Sequence, residues 1–255
     1  MRLISRMETL GRPLVYGVVL VSAAAMLGVL GVGGCRGTNL LSTKEEVQLG
    51  KDAAAEVERR YKVVQNTPEA RRVAAIGERV LEHCDRREGV PYSVKLLRVD
   101  QVNAVSLPGG PVYVYTGLLD FLNADDDALA CIIGHEVGHV DARHSAKQIS
   151  QRLVANVGVA ILFRGRSQDI ASLTTDLLNL SYSREDEYEA DHRGVSYAHR
   201  AGYKATGMVR FLKKLMETEK GSPRDPELLR THPYASARAA RIEKIIERQD
   251  YRYGR

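Results

Sequence analysis

Ile132–Val140 reads I-I-G-H-E-V-G-H-V and places His135, Glu136 and His139 in the pattern H-E-x-x-H. Residues four apart lie on one face of a helix. Two imidazoles at that spacing can grip one metal ion from the same side. Glu136, beside the first of them, can reach a water on that ion. A zinc peptidase needs this set: two nitrogen ligands, a nearby base and room for a third protein ligand. The flanks favour a helix from Asp125 to about Arg143. Asp125, Asp126 and Asp127 put negative charge at its start, and Leu129, Ile132, Ile133, Val137 and Val140 supply apolar faces. The alternative is a surface helix with two stray histidines. Ile133 and Val137 speak for burial instead, and buried histidines need partners.

The chain around this helix has 255 residues, enough for one domain with an appendage. Its hydrophobic fraction of 44% is ordinary for a globular protein. The formal charge of +5 shrinks when residues 1–34 are set aside, leaving 34 basic and 31 acidic residues. Basic residues do not cluster with interleaved aromatics, so nucleic-acid binding is not indicated. The dispersed arginines predict a solvated, salt-bridged surface.

Residues 1–34 read as an export signal. Arg2, Arg6 and Arg12 precede an apolar stretch from Leu14 to Leu30, and V-G-G-C follows, ending at Cys35. This resembles a bacterial lipoprotein signal, in which the cysteine is lipidated and becomes the first mature residue. Val32 departs from the pattern, since leucine is commonest there. An uncleaved anchor and a plain secretory signal are the alternatives, and the apolar run is short for a membrane span. Arg36 stands where an aspartate would favour the inner membrane, so the expected location is the outer membrane, facing the periplasm. The expected organisation is a signal at 1–34, a linker at 35–43 and one domain at 44–255.

Within that domain, Ser42 or Thr43 caps a helix reaching about Tyr61, with Glu45 and Glu46 in its first turn. Thr67-Pro68-Glu69 opens a second helix, to about Cys84. Ser93–Val99, Gln101–Ser106 and Pro111–Tyr115 read as short strands. An exposed edge strand here could hold an extended peptide over the metal, or the strands could merely cover the core. Gly117–Asn123 is a short helix. His144, five residues past His139, falls off the ligand face and reads as a hydrogen bonder at the helix end. Leu153–Phe163 is apolar, too short to span a bilayer, and suits a buried helix or a lid. Asp169–Leu180 and Thr206–Lys220 are further helices. A loop at Gly221–Pro226, the T-H-P of Thr231–Pro233 and a basic helix to Gln249 follow, with a frayed tail at Asp250–Arg255.

The second informative stretch is S-R-E-D-E-Y-E-A-D-H-R-G, Ser183–Gly194. Glu187 and Asp191 share one helical face; Glu185 and Glu189 do not. The segment therefore offers one carboxylate as a third metal ligand and another one turn away. Asp191 could accept the free ring N–H of a ligand histidine and fix its tautomer. A solvated acidic face explains Glu185, Asp186 and Glu189 equally well. It explains Glu187 and Asp191 less well, because Ala190 and Gly194 point to close packing on a neighbouring helix. His232, in a loop beside a proline, could close over the metal.

H-E-V-G-H at 135–139 followed by S-R-E-D-E-Y-E-A-D at 183–191 resembles peptidase family M48, the HtpX-like and CaaX-prenyl-protease-like zinc metallopeptidases. N-A-V-S-L-P-G-G-P-V-Y-V-Y-T-G-L at 103–118 is similar to that family's strand region, and T-H-P with Arg238 to its C-terminal signature. The resemblance runs from about Lys44 to Ile246. It implies an α+β, predominantly helical, zincin-like fold with a small sheet beside the active-site helix. It implies one zinc ion held by His135, His139 and Glu187, with Glu136 as general base and acid and Asp191 supporting a ligand. His232 resembles a histidine that caps the zinc in some periplasmic members, and Arg238 would orient that loop or bind substrate. The HtpX-like members carry membrane spans between the two motifs and this chain does not, so it resembles the lipid-anchored branch. The implied partners are polypeptides bound as extended strands, and envelope assembly factors.

Rival chemistries fare worse. G-x-S-x-G is missing. Cys131 lies one turn before His135 and is misplaced as a ligand, while Cys84 and Cys131 could pair in an oxidising compartment or stay free. Structural zinc normally takes four Cys or His ligands, so a set with Glu favours catalysis. A lipid-anchored chaperone or assembly factor with a capped, largely inactive zinc remains the competing function.

Overall fold

The computed structural model describes residues 39–155, 167–219 and 227–251. The export signal, Cys35, most of the apolar run Leu153–Phe163, the 221–226 loop and the end of the tail lie outside the described residues.

Ser42 accepts the Glu45 N–H while the Glu45 carboxylate accepts the Ser42 N–H, a reciprocal cap that starts α1 (Thr43–Arg60). A two-residue strand, β1 (Val63–Val64), follows; the sequence reading did not anticipate it. Thr67 caps α2 (Pro68–Leu81), with Pro68 in the first turn where its missing N–H costs nothing. Three more strands follow: β2 (Ser93–Leu97), β3 (Ala104–Ser106) and β4 (Pro111–Tyr115). β2 stops short of Val99 because the Val99 N–H and C=O both turn to the Thr116 hydroxyl. The sheet order is β1-β2-β4-β3, with β2 and β4 parallel and the other pairs antiparallel.

The sheet is buried on both faces. Leu96, Val112 and Val114 join a core with α2 and the helices that follow the sheet, while their neighbours Leu97, Tyr113 and Tyr115 join a second core with α1. The alternation follows from the two-residue period of a strand, and burial of both faces explains why V-Y-V-Y carries no polar face. β1 and β3 are the edge strands, and Ala104, Val105 and Ser106 of β3 are all buried. The sequence left two uses open for these strands, an exposed edge for a peptide or cover for the core, and β3 is buried.

Next come α3 (Thr116–Leu122), α4 (Asp126–Asp141), α5 (His144–Ala155), α6 (Ser167–Leu178), α7 (Arg184–Arg200), α8 (Thr206–Glu219), α9 (Glu227–Thr231) and α10 (Ala235–Glu247). Asp125 caps α4 through the Ala128 N–H. α4 ends at Asp141, two residues earlier than expected, because Arg143 adopts a left-handed φ of +58°. Its guanidinium is held there by Glu46 (2.8 Å) and the Leu41 carbonyl. His144 therefore opens a new helix. Cys84 and Cys131 are both buried free thiols. Among the described residues no helix is long and apolar enough to cross a membrane.

Candidate metal centre

α4 and α7 meet backbone to backbone. A β-carbon on Gly134 would stand 2.6 Å from the Gly194 carbonyl oxygen, and one on Gly138 would stand 2.9 Å from the Ala190 carbonyl oxygen. Only glycine at these crossing points allows so close an approach. Glu187 and Asp191 lie on the face of α7 that this contact turns toward His135 and His139.

The four side chains His135, His139, Glu187 and His232 are all buried, and their ligand atoms lie within 4.8 Å of one another. The Nε2 atoms of His135 and His139 are 3.0 Å apart. Glu187 Oε1 is 3.4 Å from His139 Nε2, and its Oε2 is 3.6 Å from His135 Nε2. Nδ1 of His232 closes the cluster, 3.2 Å from His135 Nε2 and 3.0 Å from Glu187 Oε1. Glu136 points into the same space. Its Oε2 accepts from Ser106 Oγ at 2.9 Å. Its Oε1 has no hydrogen bond, and His232 Nε2 is 3.5 Å away.

The outward atoms of the cluster are also engaged. His135 Nδ1 donates to Asp191 Oδ1 at 2.9 Å. Arg238, on α10, grips both Asp191 oxygens (2.8 and 2.7 Å) and lies 2.6 Å from Glu187 Oε2. It also donates to the His232 carbonyl at 3.3 Å. It is 2% exposed, so of the two roles expected for it, the orienting one matches its placement.

Burial pulls the His139 pKa well below its ordinary value, helped by the neighbouring His135. Burial would raise Glu187 and Asp191, but Arg238 outweighs it and holds both carboxyls below the usual range. Burial also opposes charge on His232, yet Glu187 and Glu136 prevail and raise its pKa.

These residues fit a metal ion. Ligand atoms about 2.1 Å from a tetrahedral ion stand about 3.4 Å apart, and the separations above run from 3.0 to 3.6 Å. Two ring nitrogens facing each other can share at most one proton, so lone pairs otherwise confront one another. Three buried carboxylates, Glu136, Glu187 and Asp191, surround one permanent cation, Arg238. Uncompensated buried charge is costly, and a divalent cation would balance it. Glu136 Oε1, buried without a hydrogen bond, faces the same site.

The structure thus gathers every residue singled out in the sequence: His135, Glu136, His139, Glu187, Asp191, His232 and Arg238. It adds two that the sequence reading missed, Ser106 and Tyr182, and brings in His144, read from the sequence only as a hydrogen bonder at the helix end. Ser106 bonds Glu136 from β3. Tyr182 stacks on the His139 ring with centroids 3.9 Å apart, its hydroxyl on Ser145. His144 turns back so that its Nδ1 is 2.9 Å from His139 Nδ1. Of the two missed, only Tyr182 carried a sequence signal, as an aromatic directly before the Ser183 cap.

Residues 68–246 match peptidase family M48. The chain is similar to the Beta-barrel assembly-enhancing protease of Escherichia coli (strain K12), 27% identical over 213 residues covering 78% of this chain and 43% of that one. It is similar to Mitochondrial metalloendopeptidase OMA1 of Arabidopsis thaliana, 34% identical over 153 residues, 60% of this chain and 31% of that one. It is similar to Metalloprotease YcaL of Escherichia coli (strain K12), 31% identical over 168 residues, 62% of this chain and 63% of that one. The matched part spans less than half the length of the first two and under two thirds of the third.

Proposed function

The chain belongs to peptidase family M48, a family of metallopeptidases, and we propose that it is a zinc-dependent endopeptidase acting on unfolded or misassembled proteins of the cell envelope. The observation that carries this reading is the convergence of His135 Nε2, His139 Nε2 and the Glu187 carboxylate beside a Glu136 oxygen that lacks a partner. His135, His139 and Glu187 would hold the zinc. When bound, zinc supplies Lewis acidity and lowers the pKa of water toward about 7.

The chain's own residues do the rest. Ser106 holds Glu136 Oε2, which sets the plane of the carboxylate and leaves Oε1 to take a proton from water and return it to the leaving amine. Asp191 keeps the His135 proton on Nδ1, so Nε2 stays available. Arg238 keeps Asp191 and Glu187 ionised and in place. An extended polypeptide added beyond β3 would run past Ser106 and so past Glu136. β3 is buried here, so that pairing requires its edge to become accessible.

The envelope location rests on the 1–34 signal pattern and Cys35 as a lipid anchor. Similarity to the Beta-barrel assembly-enhancing protease of Escherichia coli (strain K12) supports substrates or partners in envelope assembly. A second reading is favoured by one specific observation. His232 sits within 3.2 Å of His135 Nε2 and 3.0 Å of Glu187, where it caps the site. A protein held in that state would be an assembly factor with a restrained zinc.

Metal analysis and casein digestion of wild type, Glu136→Gln and His232→Ala test both readings. Wild type is expected to carry one zinc per chain. Glu136→Gln should keep the zinc and lose about 10²–10⁴-fold in rate. Undiminished proteolysis by Glu136→Gln would refute the mechanism. Faster cleavage by His232→Ala would identify the histidine as a restraint.

A further inference from the structure

We propose that His144 is a positioning residue of the metal site, which accepts the Nδ1–H of His139 and so holds His139 in the tautomer that presents Nε2 to the metal. The proposal rests on the reading of His139 as a ligand and deepens it. His135 and His139 each turn Nε2 inward and Nδ1 outward. The outward atom of His135 meets a carboxylate directly, Asp191. The outward atom of His139 meets only another imidazole nitrogen, 2.9 Å away, so one proton must lie between the two.

Two arrangements are open, and both ends of the chain of contacts select the same one. If His144 donated to His139, the neutral His139 would carry its proton on Nε2, facing His135 Nε2 and Glu187 in place of a metal. The neutral His144 would then aim the lone pair of its own Nε2 at two acceptors, Asp186 Oδ1 at 3.4 Å and Glu189 Oε2 at 3.6 Å. In the other arrangement His144 carries its proton on Nε2, facing those carboxylates, and its Nδ1 accepts from His139. The carboxylates flank Nε2 without making a hydrogen bond of ordinary geometry, so they act on it as a field. Both are held on α7: Asp186 by the Ser183 cap and Glu189 by Arg193 at 3.0 Å. Lys147, 3.5 Å from Asp186, is the nearest cation on α5. Each ligand imidazole is thus buttressed from α7, His135 by one carboxylate and His139 by two through His144.

The break at Arg143 makes this contact possible. On a continuous α-helix a residue five positions on points well away from His139. The left-handed φ of Arg143 restarts the helix at His144 and returns its ring to the His139 ring, with centroids 5.0 Å apart.

The test compares His144→Leu and His144→Asn with wild type by zinc-chelator competition, with histidine ring ¹⁵N spectra of the zinc-loaded wild type alongside. Asparagine offers an oxygen near the place of Nδ1; leucine fills the space without an acceptor. His144→Leu should weaken zinc binding about 10–100-fold, and His144→Asn should recover most of that loss. The spectra should show protons on His139 Nδ1 and His144 Nε2, a readout that needs no variant to fold. Unchanged zinc affinity in His144→Leu, no recovery in His144→Asn, or a proton on His144 Nδ1 would overturn the proposal while leaving the zinc reading intact. A wild-type chain that binds no zinc would overturn both.

Discussion

Gly134 and Gly194 face each other across α4 and α7 with no room for a side chain on either: a β-carbon on Gly194 would stand 2.5 Å from the His135 amide nitrogen. The contact sets the distance between the H-E-x-x-H helix and the helix that carries Glu187. Overpacking such a contact typically costs about 1–3 kcal/mol. Gly194→Ala should therefore lose about that much stability in urea unfolding. It should also bind zinc more weakly, because the helices must part where Glu187 reaches across. A stable variant with wild-type zinc affinity would show that Glu187 does not depend on this approach.

Arg238 is the one permanent cation among three buried carboxylates. Its removal leaves Asp191 and Glu187 without their guanidinium partner. Breaking a buried pair from one side costs about 3–5 kcal/mol, so Arg238→Leu should lower stability on that scale. Arg238→Lys should rescue little, since a single ammonium cannot span both Asp191 oxygens and Glu187. Chemical denaturation of the two variants at neutral pH makes the comparison.

Glu189 predicts a pH signature. His144, whose Nε2 is 3.6 Å away, and then Arg193 lower its carboxyl to about 2 against the burial that would raise it. A carboxyl depressed in the folded state stabilises fully above its ordinary value near 4.5. That contribution disappears as pH falls through about 2. The side chain is 33% exposed, so solvent screening brings the gain to about 1 kcal/mol. Glu189→Gln should be less stable than wild type at pH 7, with the gap closing between pH 4.5 and 2. A gap that stays constant over that range would count against the pairing.

Burial pushes the Cys84 and Cys131 thiols up to about 12, and neither is paired in a disulfide. Both should resist iodoacetamide at pH 7.5 in the folded protein and react fully in denaturant. Mass spectrometry under non-reducing conditions reads both points; a mass lower by two hydrogens would reveal a disulfide instead.

Much of the architecture was legible in local chemistry. The caps at Ser42, Thr67 and Asp125 mark helix starts because they satisfy backbone donors within a few residues of themselves. The small residues Ala190 and Gly194 announced a close helix contact. What the sequence reading placed wrongly lay where long-range contacts override local preference. The end of α4 depends on Glu46, from α1, gripping Arg143. The two-residue β1 exists because β2 offers it a partner.

The sequence by itself determined which groups have the chemistry: two imidazoles on one helical face with a carboxylate between them, a second helix with Glu187 and Asp191 in register, and His232 and Arg238 further on. Spacing along a helix is a local property, so the chain reports it directly. The tertiary structure alone decided how those groups meet. It put His232 against the ligands, turned Arg238 inward to the carboxylates, buried β3, and bent the chain at Arg143 so that His144 backs His139. Those outcomes depend on contacts between residues far apart in the chain, where burial and charge balance are settled jointly and no single stretch carries the answer.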